Sequence, residues 1–448
     1  MATMTGSPVD ARVRALEPLY PKLQPRWCGL SREEVAGNQR VRLLGAMVEV
    51  VTERGLAGAS IKRVSALAGV SRQTFYDLFD SREECFLEAY DEIVEHTRRY
   101  VDTARHIDGD RQTKLQAALD AYVAVVTARP KAARLALIGA FDAGPAARAR
   151  TQSSRRKFEE TIAASLAPPL DGIEIEPVIV TGIACGIESI TRRSLAGDVG
   201  ELPAHAHELA AWMLSYSSPA AMQLSDLALA SRWAPVRPAQ RAPVADPRNE
   251  RLRALRATAQ IAADVGYSQL TSGQIADAAG ISQKTLKALY GSVEQCFQAA
   301  FGLLTVEALS RAERASQDGD PRAGVHRAMV ALMRHVASDQ VFMRVAFGEV
   351  FAAGADTVAH RDRMLHKFGE LLLKGLPESQ RGSSLRTEAS VGAVWDFVQH
   401  HVTGGSARLL PSLAGHATYL ALAPTIGPNE AVQAIIDGST QSVQYAQS

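Results

Sequence analysis

The sequence predicts an all-α protein, and three features carry that reading. Apolar residues recur at helical spacing from about residue 38 onward, strand-like alternation is missing over any convincing length, and Gly, Pro and Asp punctuate segments of ordinary helix length. The 448 residues, 46% of them hydrophobic, exceed what one ordinary core needs and suit two or more domains.

Residues 1–37 mix Pro8, Pro18, Pro21 and Pro25 with Arg12, Arg14, Lys22, Arg26 and Arg32. This is either a basic arm able to drop arginines into a minor groove or a solvated tail, with Trp27 and Leu30 available to pack on the first helix. It lacks the apolar core of a signal peptide, and no apolar run nears membrane-spanning length, so a soluble cytoplasmic protein is expected.

From Asn38 to Tyr90 the apolar positions form three short runs: Val41/Leu44/Val48/Val51, Ile61/Val64/Ala68 and Phe75/Leu78/Phe79. Three small helices can therefore share one core. The first run is expected to stop at Gly55, Ser60 can cap the second helix and Ser71 the third. The turn Ala68-Gly69-Val70-Ser71 is short enough to make the last two helices a helix-turn-helix.

On the third helix Phe75 and Phe79 fall on one face, and Arg72, Gln73, Thr74 and Tyr76 on the other. Arg can fork onto a guanine edge and Gln onto adenine, while Thr can touch a thymine methyl or a phosphate and Tyr can donate to a phosphate. The candidate DNA contacts are Ser60, Lys62, Arg63, Ser71, Arg72, Gln73, Thr74, Tyr76, Ser81 and Arg82.

The stretch GVSRQTFYDLFDSREECF resembles the signature of the TetR family of transcriptional regulators, with Gly69, Ser71, Thr74, Phe75, Tyr76, Phe79, Ser81 and Glu83 at matching places. The resemblance implies a DNA-binding domain over 38–90, followed over 91–218 by an all-α domain that encloses an effector pocket and lends its last two helices to a dimer interface. Helices are expected at 86–104, 111–128, 131–141, 146–166, 174–195 and 203–216. Gly182, Ala184, Gly186, Ala210 and Ala211 would permit close helix approach in such an interface.

Residues 219–247 read as a Pro-rich linker. The pattern then restarts. Under a shift of 211 positions, fifteen residues of the first motif, among them Gly55, Gly69, Ser71, Thr74, Ser81, Cys85 and Phe86, fall without a gap on identical ones, here Gly266, Gly280, Ser282, Thr285, Ser292, Cys296 and Phe297. The chain is internally duplicated. A divergent second head is expected over 248–301 and a second helical domain over 302–448, with helices at 321–337, 340–352, 358–374 and 386–403.

In the second head Leu286 and Tyr290 replace the aromatic pair, Lys287 stands where the resemblance implies a phosphate-binding tyrosine, and Val293 replaces Arg82. Its candidate DNA contacts are Thr271, Gln274, Ser282, Gln283, Lys284, Thr285 and Lys287, and the alternative is a purely structural second unit.

Two TetR-like units in one chain could form the dimer interface internally, as a pseudo-dimer, or the two-headed chain could form a true homodimer. The implied partners are a double-stranded DNA operator and a small apolar effector. Candidate lining is Tyr122, Phe141 and Trp212 in the first half, and Phe342, Phe347 and Trp395 in the second. The expected function is a repressor released by its effector; the alternative is an architectural or constitutive regulator without ligand.

A net charge of +1 argues against a non-specific nucleic-acid coat. Four cysteines without a CxxC pair read as structural thiols. His205 and His207 lie about 200° apart on a helix, and Asp396 with His400 lacks further ligands. No catalytic motif or metal or cofactor site is expected.

Overall fold

A computed structural model of the chain describes residues 31–139, 144–166, 175–197, 199–218, 249–317, 319–350, 355–374 and 382–445, with a few isolated positions between them. Among these the regular structure is helical, with no strand. The N-terminal arm, with Trp27 and Leu30, and most of the linker lie outside the described residues.

Four helices open the chain: α1 (Arg32–Gly58), α2 (Ile61–Ala68), α3 (Arg72–Leu78) and α4 (Arg82–Arg105). Helix α1 breaks at Gly55, whose φ of 66° and ψ of 171° are non-helical, and resumes to Gly58. The expected stop is thus a kink, because the chain beyond it still finds helical partners. A capping box at Ser31 and Glu34 starts the helix.

Then come α5 (Arg111–Ala128), α6 (Pro130–Leu137), α7 (Gly144–Leu166), α8 (Pro177–Ala196) and α9 (Leu202–Leu214). Each lies within a few residues of the sequence expectation. The exception is α6, which ends at Leu137 where 141 was expected.

After the linker come α10 (Glu250–Val265), α11 (Ser272–Ala279), α12 (Gln283–Tyr290) and α13 (Val293–Ser316). These are followed by α14 (Pro321–Ser338), α15 (Gln340–Arg344), a π-helical turn at Val345–Glu349 and α16 (Ala355–Leu373). The chain closes with α17 (Ser384–Thr403), α18 (Ala414–Ile426) and α19 (Pro428–Tyr445). The helix expected over 340–352 is therefore split, its second part wound as a π-turn.

The sequence repeat extends into element lengths. Helices α4 and α13 both have 24 residues, α5 and α14 both 18, α8 and α17 both 20, and α9 and α18 both 13. Residue identity fades along these helices, but their dimensions persist.

The chain separates into two compact units that interleave in sequence, the first made of 1–168 with 190–214 and the second of 169–189 with 215–448. A boundary read from sequence near 218 does not anticipate this exchange, because the short segment 169–189 finds its packing partners far along the chain.

In the first unit, Leu43, Met47, Val51, Val64, Phe75, Phe79 and Phe86 form the centre of a head core, joined by Ala132 and Leu135 from α6. Lys131 pairs with Glu49, and Thr52 Oγ1 donates to the Lys131 carbonyl at 3.2 Å, so α6 is fastened to α1.

In the second unit, a Cβ on Gly182 would overlap the Leu420 side chain, and one on Gly392 would overlap Ser189. Tyr216 Oη donates to the Leu420 carbonyl at 2.8 Å, and the buried His416 ring meets Glu176 at 2.9 Å. Of the small residues named from sequence, Gly182 thus serves a close helix approach.

Cys85, Cys185 and Cys296 are buried thiols outside any disulfide, and burial pushes the Cys85 thiol up to about 12. They are inert packing groups.

Candidate nucleic-acid interface

Helix α3 is set by local signals before any tertiary contact acts on it. Gly69 ends α2 in the left-handed region, with φ 64° and ψ 40°, where a side chain would be strained. Ser71 Oγ then accepts the Thr74 backbone N–H at 2.9 Å and lies 2.9 Å from Thr74 Oγ1. Arg42 Nη2 donates to the Gly69 carbonyl at 3.2 Å, which ties the turn to α1.

Burial sorts the two faces. Phe75 and Phe79 are 0% and 2% exposed, with ring centroids 5.5 Å apart. Arg72, Gln73 and Tyr76 are exposed, Tyr76 to 55%, and Thr74 is half-buried. Three of the four candidates, Arg72, Gln73 and Tyr76, are therefore open to solvent above a dry aromatic anchor.

Arg40 fixes the far end of α3. Its guanidinium forks onto the Glu88 carboxylate, donates to the Leu78 carbonyl at 3.0 Å and lies 4.6 Å from the centre of the Phe79 ring. The Glu88 carboxylate holds the Arg40 pKa above the ordinary arginine value. The Arg40–Glu88 pair went unnoticed in the sequence, because 48 residues separate its partners.

The other candidates divide. Lys62 is exposed, and Arg63 donates to the Gly58 carbonyl at 2.9 Å. Ser60 sits at the N-cap of α2 with extended backbone, but its side chain makes no cap hydrogen bond, so its expected capping role is corrected to a backbone one. Ser81 caps α4 through the Glu84 N–H at 3.1 Å, and Arg82 pairs with Glu83 at 2.7 Å.

The second head repeats this scaffold. Gly280 has φ 63°, Ser282 Oγ accepts the Thr285 N–H at 2.9 Å, and Ser292 caps α13 through Gln295 at 3.1 Å. Gln283, Lys284 and Lys287 are exposed, Thr285 is half-buried, and Leu286 is buried. Tyr290 is only half-buried and donates its hydroxyl to the Arg251 carbonyl at 3.0 Å. Thr271 and Gln274 form a capping box in which Gln274 Oε1 accepts the Thr271 N–H at 2.9 Å. The scaffold is further tied by Glu349, which accepts the Tyr267 N–H at 2.8 Å, and by Arg344, which donates to the Ala263 carbonyl at 2.9 Å.

Of the candidate effector residues, Tyr122 and Trp212 are buried in the first unit, Tyr122 with its hydroxyl 3.1 Å from Thr191 Oγ1; Phe141 lies outside the described residues. In the second unit Phe347 joins the other two, its ring 5.9 Å from Phe342 and 4.6 Å from Trp395. Trp395 Nε1 and Gln399 Nε2, one turn apart on α17, are buried donors with no hydrogen-bond partner. A groove of about 410 Å³ between α4 and α7 is instead polar, lined by Glu95, Arg98, Asp102, Arg105, Lys157 and Glu160. Among the described residues no cluster of His, Cys, Asp or Glu could hold a metal, and no helix is long and apolar enough to cross a membrane.

A trihelical head with an anchored, polar recognition helix defines a class of DNA-binding modules. Residues 43–89 match the family model described as "Bacterial regulatory proteins, tetR family". Over these residues the front head is similar to that family, whose members are DNA-binding regulators of transcription rather than enzymes.

Three solved chains illustrate the similarity. The transcriptional regulator FadR from Bacillus subtilis, in complex with stearoyl-CoA, matches at 14% identity over 39% of this chain and 97% of its own, with a TM-score of 0.37. The fatty acid degradation regulator FadR from Bacillus halodurans matches at 14% over 39% and 96%, with a TM-score of 0.36. A TetR-like transcriptional regulator from Rhodococcus sp. RHA1 matches at 20% over 41% and 96%, with a TM-score of 0.33. No curated protein sequence matches.

Proposed function

We propose that the chain is a tandem TetR-type repressor in which the front head reads a DNA operator, the back head is its divergent duplicate, and a small apolar effector releases the DNA. The observation that carries the DNA reading is the two-sided recognition helix, with Arg72, Gln73, Thr74 and Tyr76 on its outer side and Phe75 and Phe79 sealed beneath. The matched helix lengths of the two halves support the tandem reading.

The proposed assembly is a pseudo-dimer within one chain. The contacts Gly182 to Leu420, Ser189 to Gly392 and Tyr216 to Leu420 support it, because each joins a segment near the end of the first half to one near the end of the second. Unlike heads imply an operator without perfect palindromy. A two-headed reader meets successive major grooves about 34–36 Å apart. A solution mass near 48.1 kDa at nanomolar concentration supports the assembly, and a persistent doubling overturns it.

Effector release is a population shift: a ligand that binds better to another head spacing withdraws the chain from DNA. The aromatic group Phe342, Phe347 and Trp395, with the unpartnered Trp395 and Gln399 donors beside it, suits an apolar molecule carrying an acceptor oxygen. The helices α4 and α13, which lead out of the two heads, carry the movement.

The test is a gel shift on the protein's own promoter region, with Tyr76→Phe and Arg72→Ala set against Gln283→Ala and Lys287→Ala. Loss with the first pair alone makes the back head structural. Comparable losses make it a second reader, and no loss in either pair ends the proposal.

A further inference from the structure

On α3 the side-chain amide of Gln73 donates to Asp77 Oδ1 at 2.9 Å, and both residues are exposed on the stripe next to that of Arg72 and Tyr76. The seven-residue helix thus carries one cation, Arg72, and one anion, Asp77, on the face proposed to meet DNA. A carboxylate there works against general affinity, since a duplex presents one negative charge per about 1.7 Å of its axis. It does not hold the fold, since it is exposed and its hydrogen-bond partner is another exposed side chain.

Its chemistry fits discrimination. One N–H of Gln73 is given to Asp77, which leaves the other N–H and the carbonyl oxygen as a fixed donor and acceptor pair. That pair matches N7 and N6 of adenine in the major groove. Guanine presents O6 and N7 there, both acceptors, and a carboxylate beside them is repelled.

The back head lacks the device. Under the 211-residue shift Lys284 replaces Gln73 and Ala288 replaces Asp77, so α12 carries Lys284 and Lys287 and no acid. That composition favours phosphate contact over base choice.

We propose that Asp77 is a specificity-determining residue of the front head: it orients Gln73 toward an adenine edge and rejects guanine at that base pair. The inference rests on the DNA-reading role assigned above to this helix.

The experiment uses the full chain. A selection from randomised duplexes gives a preferred site, and binding is then measured on that site, on each of its single-base variants and on unrelated DNA for the wild type, Asp77→Ala and Asp77→Asn. The expected result is a loss of about tenfold discrimination between adenine and guanine at one base pair in Asp77→Ala. Discrimination elsewhere is retained and unrelated DNA is bound several-fold more tightly. Asp77→Asn, which keeps an acceptor for Gln73 but no charge, is expected to fall between.

Discrimination unchanged at every base pair, with affinity shifted uniformly, overturns the specificity role while leaving the DNA-reading role intact. A wild type that selects no sequence at all overturns both. Because Asp77 is exposed, unchanged helicity and melting of both variants separate these outcomes from misfolding.

Discussion

In the front head the recognition helix reads RQTFYDL and stands on Phe75 and Phe79; in the back head it reads QKTLKALY and stands on Leu286 and Tyr290. The scaffold beneath is nearly superimposable in its local chemistry. Gly69 and Gly280 have φ of 64° and 63°, and Ser71 and Ser282 each cap at 2.9 Å. Ser81 and Ser292 each cap the following helix at 3.1 Å.

What differs is how the helix is clamped and what it shows to solvent. The front head uses the charged fork of Arg40 on Glu88; at the place of Glu88 the back head has Ala299, and the neutral hydroxyl of Tyr290 on the Arg251 carbonyl takes over. The outer face changes from a mixed Arg72/Gln73/Asp77 surface to lysines. Caps and turns are fixed by backbone geometry, which the two heads share. An exposed face is constrained only by what it binds, so it is free to differ.

The largest effect expected from breaking this comparison is at the anchors. Phe75→Ala removes a fully buried ring and should cost about 3–5 kcal/mol, whereas Leu286→Ala, with a smaller side chain, should cost about 2–5 kcal/mol. Thermal melting of each variant, followed by DNA binding, checks whether only the front anchor is needed for reading.

Next come the faces. Arg72→Ala should cost about 1–3 kcal/mol on the preferred operator and relax selection at one base pair. Lys287→Ala should weaken all duplexes alike and lower the slope of log affinity against log salt by about 1. Titrations at several salt concentrations separate the two, and equal behaviour would erase the distinction drawn between the heads.

Smaller effects belong to the shared scaffold. Ser71→Ala and Ser282→Ala should each cost about 1 kcal/mol, as lost helix caps do, and to a similar extent in both heads. A clear inequality in denaturant unfolding would mean that the caps are not equivalent after all.

The smallest is a pH dependence that divides the halves. Burial lowers the imidazole pKa of His96 in the first unit, and of His326 and His401 in the second, to about 4. Each ring is neutral in the folded chain, and the unfolded chain binds the proton more readily between about pH 6.5 and 4, so stability falls on acidification through that window. The second unit, with two such rings, should lose more than the first. Amide exchange at pH 7 and pH 5, resolved by segment, measures the difference.

Much of the chain was legible before any tertiary contact was known. Helix positions follow from apolar periodicity and from caps such as Ser71 before α3, whose bond reaches only three residues ahead. The two sides of α3 also follow from spacing, since Phe75 within the helix and Phe79 just after it lie four residues apart.

Three features lay beyond that reach. The Arg40 clamp spans 48 residues, and Glu349 reaches Tyr267 across 82. The segment 169–189 joins the second unit through contacts more than 200 residues away. Phe347 meets Trp395 from within the π-turn Val345–Glu349, 48 residues before it in the chain.

The sequence by itself therefore determined most of the helices, caps such as that at Ser71 and the exposed, polar side of α3, because each depends on residues within a turn or two of one another. Tertiary structure decided how the recognition helix is clamped, which segments share a core and which aromatics meet. Those depend on loop closure and packing between distant segments, where many pairings suit the same periodicity and only the assembled core selects one.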